Sequence, residues 1–118
     1  MLVLVTGGSK YRRRDVVFSS LTDFHKEHRI TFLVTGGCPT GVDKYAREWA
    51  DENGVDGKDY PAEWDRFGLS AGPIRNSEML TKHHYDACIV FPGGSGTADM
   101  RKKALRARIP IHHLPRRE

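Results

Sequence analysis

The sequence predicts an α/β protein: a doubly wound, mostly parallel five-stranded sheet flanked by helices, in a single domain over residues 1–118. Three observations predict it. Short apolar runs alternate with stretches whose apolar residues recur at helical spacing, strand then helix four times, and a last strand closes the order. Glycine turns follow three of the apolar runs, at Gly7-Gly8-Ser9, Gly36-Gly37 and Gly93-Gly94-Ser95-Gly96. In doubly wound sheets ligands bind beyond the carboxyl ends of the strands, near the topological switch point. Three glycine turns on that one rim mark it as a binding edge.

Residues 2–5 form a continuous apolar run, the pattern of a central parallel strand buried on both faces. Thr6-Gly7-Gly8-Ser9 turns the chain. A helix is expected from near Asp15, which is placed to cap it, with Val17, Leu21 and Phe24 as the buried stripe. His25 and His28 read as surface residues. Residues 30–34 form the second strand. Its end, Val34-Thr35-Gly36-Gly37, repeats Val5-Thr6-Gly7-Gly8, as two equivalent strand ends in one sheet would. The turn continues through Cys38-Pro39-Thr40-Gly41. The next helix buries Val42, Ala46, Trp49 and Ala50 and ends at Asn53-Gly54, a good C-cap pair. Asp43 lies in its first turn. A carboxylate there either complements the helix dipole or accepts hydrogen bonds from a ribose or base.

Residues 55–62 hold a short third strand around Lys58-Asp59-Tyr60. Pro61, Trp64, Phe67 and Gly68 follow as a loop, its aromatics either core or the wall of a pocket. Ser70-Ala71-Gly72-Pro73-Ile74-Arg75-Asn76 opens the third helix, with proline near its first turn. That helix runs through Met79 and Leu80 to His83-His84. Arg75 follows the apolar Ile74 and reads as a guanidinium at a buried edge, aimed at an anion, because its fork matches phosphate or carboxylate with paired hydrogen bonds. Residues 87–91 are the fourth strand and Pro92 ends it. A helix then runs to Arg108 with Met100, Ala104 and Leu105 inward. Residues 109–114 form the last strand. Pro110 near its start suits a sheet edge, and His112 and His113 point to opposite faces.

The turn after the fourth strand carries the strongest chemical signal. A strand that passes through glycine into a helix N-terminus is a ready anion site, with unpaired N–H groups and the positive end of the helix dipole. Glycine lets a phosphate or ribose approach the backbone. Thr97 can cap the helix or donate to an anion oxygen.

Composition bounds the rest. Hydrophobic content is 38% and charged content 29%, as in an ordinary globular protein rather than a disordered one. No apolar run approaches the ~20 residues that span a bilayer. The apolar N-terminus is too short for a signal peptide, and a cytoplasmic protein without membrane contact is expected. The two cysteines, Cys38 and Cys88, are expected as free thiols. No spacing of Cys and His indicates a metal site, and no resident cofactor is expected. The formal net charge of +4 suits an anionic ligand. Basic residues gather at positions 10–14, 101–103 and 106–108 and at Arg116-Arg117. Such runs are solvated faces or the footprint of nucleic acid, and the aromatic interleaving of a single-strand platform is absent.

Taken together, Gly36-Gly37 through Gly41-Val42-Asp43 with Ala46, Trp49 and Ala50, then Ala71-Gly72-Pro73-Ile74-Arg75-Asn76, then Phe91-Pro92-Gly93-Gly94-Ser95-Gly96-Thr97-Ala98-Asp99-Met100 resemble the SLOG superfamily. This Rossmann-like group includes the Lonely Guy phosphoribohydrolases and the DprA-type DNA-processing domain. The resemblance runs over nearly the whole chain and is greatest to small stand-alone YspA-like members of bacteria and phages. Lonely Guy enzymes cleave the N-glycosidic bond of nucleoside monophosphates with a motif Pro-Gly-Gly-x-Gly-Thr-x-x-Glu and an arginine on the preceding helix. Arg75 matches that arginine. Met100 stands where the glutamate would be and cannot act as a carboxylate. Asp99 is one position earlier, about 100° around a helix. Members lacking the enzyme motif are implied to sense nucleotides or nucleotide-derived signals, and relatives commonly form homodimers through helices, a role for which Met79, Leu80 and Met100 are candidates, core packing accounting for them equally well.

Three functions follow as expectations. The first is a module that binds a nucleotide-like ligand, possessing Gly7, Gly8, Ser9 and Asn76 at the rim. Gly93, Gly94, Ser95, Gly96 and Thr97 would cradle phosphate and Arg75 would pair with it. Gly36, Gly37 and Gly41 would allow close approach, and Asp43 or Asp99 would hold sugar hydroxyls. The second is a nucleotide N-glycosidase using Asp99 with Arg75 as catalytic residues. The third, less favoured, is DNA binding through the basic clusters.

Overall fold

A computed structural model describes residues 1–116. Arg117, at the end of the last basic cluster, lies outside the described residues. Five strands, β1 (Leu2–Thr6), β2 (Phe32–Thr35), β3 (Asp56–Asp59), β4 (Ala87–Val90) and β5 (Ile111–His113), form one sheet in the order β3-β2-β1-β4-β5. All four pairings are parallel. The chain winds outward from β1 through β2 to β3, then returns to the other side of β1 and winds outward through β4 to β5. The winding reverses between β1 and β4, so the switch point lies there.

Parallel neighbours need crossovers, and helices supply them. Helices α1 (Arg14–His28) and α2 (Val42–Glu52) cover one face of the sheet, where Val17, Leu21, Phe24, Ala46 and Trp49 pack on Val3, Val5, Leu33 and Ile89. Helices α4 (Ala71–Lys82) and α5 (Ser95–Arg106) cover the other, with Met79, Met100 and Ala104 against Leu4, Val34, Cys88 and Val90. Alternate residues of β1 thus serve opposite cores, which is why its apolar run is unbroken. Trp49 is fully buried and its indole N–H donates to Thr22 Oγ1 at 3.0 Å. α2 ends as expected: Gly54 adopts φ +66° and the Val55 N–H returns to Ala50 O at 2.9 Å. Both cysteines are free thiols, and burial pushes Cys88 up to about 12.

Several local expectations change. Arg13, not Asp15, occupies the cap position of α1; Asp15 falls in the first turn and pairs with Arg13 at 3.2 Å. His25 is no free surface residue, because its Nδ1 accepts the Ile30 N–H at 2.9 Å and its ring packs edge-on to Trp49. The loop after β3 contains a short helix, α3 (Trp64–Phe67), and a 3-10 turn, Gly68–Ser70. Leu105 is 52% exposed, because the phase that buries Met100 and Ala104 turns the next position outward. Met79 and Met100 are buried in the core and so are not free for a partner helix, whereas Leu80 packs against the core and stays half-buried. Among the described residues no helix is long and apolar enough to cross a membrane.

Candidate functional site

The carboxyl ends of β1 and β4 open into a cavity of about 800 Å³, within the size range of small-molecule sites. Two glycine turns form its floor and are stitched together. The Gly8 N–H donates to Pro92 O at 2.8 Å. A Cβ on Gly93 would strike Thr97 Oγ1 and the Gly8 nitrogen, and one on Gly7 would stand 2.5 Å from Val42 Cγ2. These two glycines are therefore demanded by the close approach of the turns.

Gly94 and Gly96 are different. A Cβ at either would meet nothing within 4 Å, and both line the cavity. Gly94 is the N-cap of α5, and among the described residues no side chain caps that helix. Thr97, expected as a cap, sits at the third helical position, buried, without that bond. The first amides of α5 thus meet the cavity with no capping side chain among the described residues, at the positive end of a helix of 12 residues.

The adjoining wall is a chain of polar contacts. Arg75 Nη1 donates to Gly36 O and, at 3.3 Å, to Tyr60 O. Its Nε donates to Asn76 Oδ1 at 2.9 Å. Asn76 donates in turn to Gly96 O at 3.2 Å and to Asp99 Oδ2 at 3.0 Å. Lys103 completes the chain, with Nζ 2.9 Å from Asp99 Oδ2. Burial acts to raise the Asp99 carboxyl, but the Asn76 and Lys103 contacts outweigh it and hold it below its usual value. Asp43 behaves oppositely. Burial pushes it up to about 6, although the N–H groups of Cys38 and Gly36 and the Arg75 guanidinium pull it down. The Cys38 N–H reaches Asp43 Oδ2 at 3.2 Å.

Most expected site residues meet in this cavity. The first turn contributes Gly7, Gly8 and Ser9, the second Gly36 and Asp43, and α4 Arg75 and Asn76. The last turn contributes Gly93, Gly94, Ser95, Gly96, Thr97 and Asp99. Gly37 and Gly41 are not brought to it. Gly37, at φ +69°, packs on Pro61, and Gly41, at φ +75°, packs on Gly8 and Ser9. Met100 lines the cavity from the core, fully buried. Trp64 lines it too, the pocket-wall alternative for the aromatics of its loop, and Lys10, Tyr11, Cys38, Leu69 and Pro73 line it without having been expected as contacts. The position of Lys10 and Tyr11 directly after Ser9 was the available signal; Leu69 had none. Among the described residues no group of His, Cys, Asp and Glu is arranged to hold a metal ion.

Comparison with known proteins agrees with this architecture. The structure of a Moco carrier protein from Chlamydomonas reinhardtii is similar in fold, with a TM-score of 0.63 at 20% identity over 96% of this chain and 75% of that one. The Gene 61 protein of Mycobacterium phage D29 is 31% identical over 116 residues, 92% of each chain. The model of the YAcAr family, described as the YspA, cpYpsA-related SLOG family, matches residues 1–67. That match takes in the first two glycine turns and stops short of α4 and α5. On this match and the phage relative, the chain belongs to the YspA, cpYpsA-related SLOG family.

Proposed function

We propose that this protein is a binding or sensing module for a nucleotide or nucleotide-derived ligand, of which an ADP-ribose-like signal is one form. The observation that carries the reading is the uncapped start of α5, with Gly94 and Gly96 open to the cavity beside the Arg75–Asn76–Asp99 wall. The amides of that turn would receive a phosphate. Arg75 would add a cation already fixed in place, and Asp43 and Asp99 would accept sugar hydroxyls. The Moco carrier protein fits a fold of this kind holding a small molecule. Gly37 and Gly41 serve by shaping the second turn rather than by touching the ligand.

The test is calorimetric titration of adenosine 5′-monophosphate and ADP-ribose into the protein and into Gly94→Val. The variant should lose at least tenfold in affinity while keeping its thermal midpoint, because the added side chain enters open space. Unchanged affinity would remove α5 from the site.

A second reading, cleavage of the glycosidic bond, is favoured by one observation: Asp99 is held ionised at the cavity wall. Chromatography of each incubated ligand separates the two. Release of free base, lost in Asp99→Asn, would establish an enzyme; intact ligand would leave a binder. DNA binding has less support, since Arg13, Arg14, Lys103 and Arg116 of the basic clusters are ion-paired within the chain.

A further inference from the structure

The cavity has an apolar side that phosphate binding leaves unused. Trp64 and Leu69 line it, yet they are 56% and 94% exposed. Trp64 stands at the start of α3, and its Cη2 lies 3.4 Å from where a Gly72 Cβ would be, over the first turn of α4. Among the described residues no ring stacks on this indole and no hydrogen bond is made to it. The other tryptophan shows the contrast: Trp49 is buried, bonded to Thr22 and packed by His25. Large apolar side chains left uncovered at the rim of a cavity mark a surface that a ligand covers. The ligand that fits has two unlike ends. One is anionic and meets the α5 amides and Arg75. The other is flat and apolar on its faces.

We infer that Trp64 is the specificity-determining residue of the site: its indole stacks on a planar heteroaromatic base, with Leu69 closing over the ring. This rests on the nucleotide reading above and adds what that reading leaves open, namely which part of the ligand is selected and by which side chain. Every nucleobase has a π-face, so such a platform chooses a base over a bare sugar phosphate without naming the base.

The probes are adenosine 5′-monophosphate and ribose 5-phosphate, which share the phosphate and ribose and differ by the base. Because Trp49 is sealed in the core, a change in tryptophan emission reports on Trp64. Adenosine 5′-monophosphate should quench it, while ribose 5-phosphate binds more weakly and leaves it unchanged. Trp64→Ala should weaken adenosine 5′-monophosphate at least tenfold, about 1.4 kcal/mol, and ribose 5-phosphate less than twofold. Trp64→Phe should restore most of the loss. Equal weakening of both compounds by Trp64→Ala would make the residue merely structural and overturn the inference. So would emission that follows protein concentration rather than nucleotide, which would assign Trp64 and Leu69 to contact between copies of the chain. If both compounds bind equally well, the anion site stands and stacking falls. If neither binds at millimolar concentration, the nucleotide reading falls and takes this inference with it.

Discussion

The guanidinium of Arg75 holds the carbonyl oxygen of Gly36, 39 positions earlier in the chain. One side chain thereby ties the second glycine turn to α4, and Asn76 carries the tie onward to Asp99 and α5. The cation at the cavity wall is part of the frame and not a flexible arm. Lysine would keep the charge but lose the fork that serves Gly36, Tyr60 and Asn76 together. Arg75→Lys should cost about 1–3 kcal/mol of stability and at least tenfold in affinity for adenosine 5′-monophosphate. Urea unfolding and calorimetry check both; a lysine variant equal to the parent in each would refute the bracing role.

Asp43 makes stability depend on pH with an unusual sign. Its carboxyl, at about 6 in the folded protein against an ordinary 3.8, binds its proton more tightly when folded. Its contribution is therefore fully present below about pH 4 and is lost as pH rises through 6. That difference is worth about 3 kcal/mol. The unfolding free energy of Asp43→Asn, relative to the parent, should rise by about that amount between pH 3.5 and 7.5. A difference that stays flat with pH would show that Asp43 titrates normally.

The glycines divide into two kinds that substitution separates. At Gly41 the positive φ and the nearby Gly8 carbonyl leave no place for a methyl group, and at Gly93 the Gly8 nitrogen blocks it. Alanine at either should cost about 2–3 kcal/mol or more. At Gly96, inside α5 and facing open space, alanine should stabilise by about 0.5–1 kcal/mol and yet weaken nucleotide binding. Thermal melts with and without ligand distinguish the two classes, and a destabilised Gly96→Ala would contradict the assignment.

Arg108 sits at φ +60° just after α5, with its N–H on Leu105 O at 3.0 Å and the Ile109 N–H on Ala104 O at 3.0 Å. This is the place a glycine usually takes at a helix end. Arg108→Gly should raise stability by about 1 kcal/mol, seen as a higher urea midpoint with unchanged slope.

The parts legible in the sequence are those set by local pattern. Strands buried on both faces show as unbroken apolar runs, and the strand-to-glycine-to-helix junction at Phe91–Ser95 is legible from residue types alone. What stayed hidden depends on contacts between distant positions. Arg75 was legible as a guanidinium at a buried edge, but its partner is a backbone carbonyl, which carries no sequence signature. Gly37 and Gly41 read as ligand-facing because glycine serves equally for close approach and for positive φ; both adopt positive φ and neither lines the cavity. A helix of four residues such as α3 is too short to show a period, so the perch of Trp64 was read as loop. An arginine where glycine is usual concealed the end of α5.

The bond from Gly8 to Pro92 joins positions 84 apart, and the residues around it span the chain from the first strand's end to the last helix. Ligand affinity is therefore a property of the completed molecule alone. A nascent chain that has not yet released α5 from the ribosome has only half a receptor. Once whole, the occupied protein is withdrawn from the unfolding equilibrium, by about 2.7 kcal/mol when ligand stands at a hundred times its dissociation constant. The abundance of a small-molecule ligand would then set how long each copy survives proteolysis, so the level of the protein would itself record the level of the ligand.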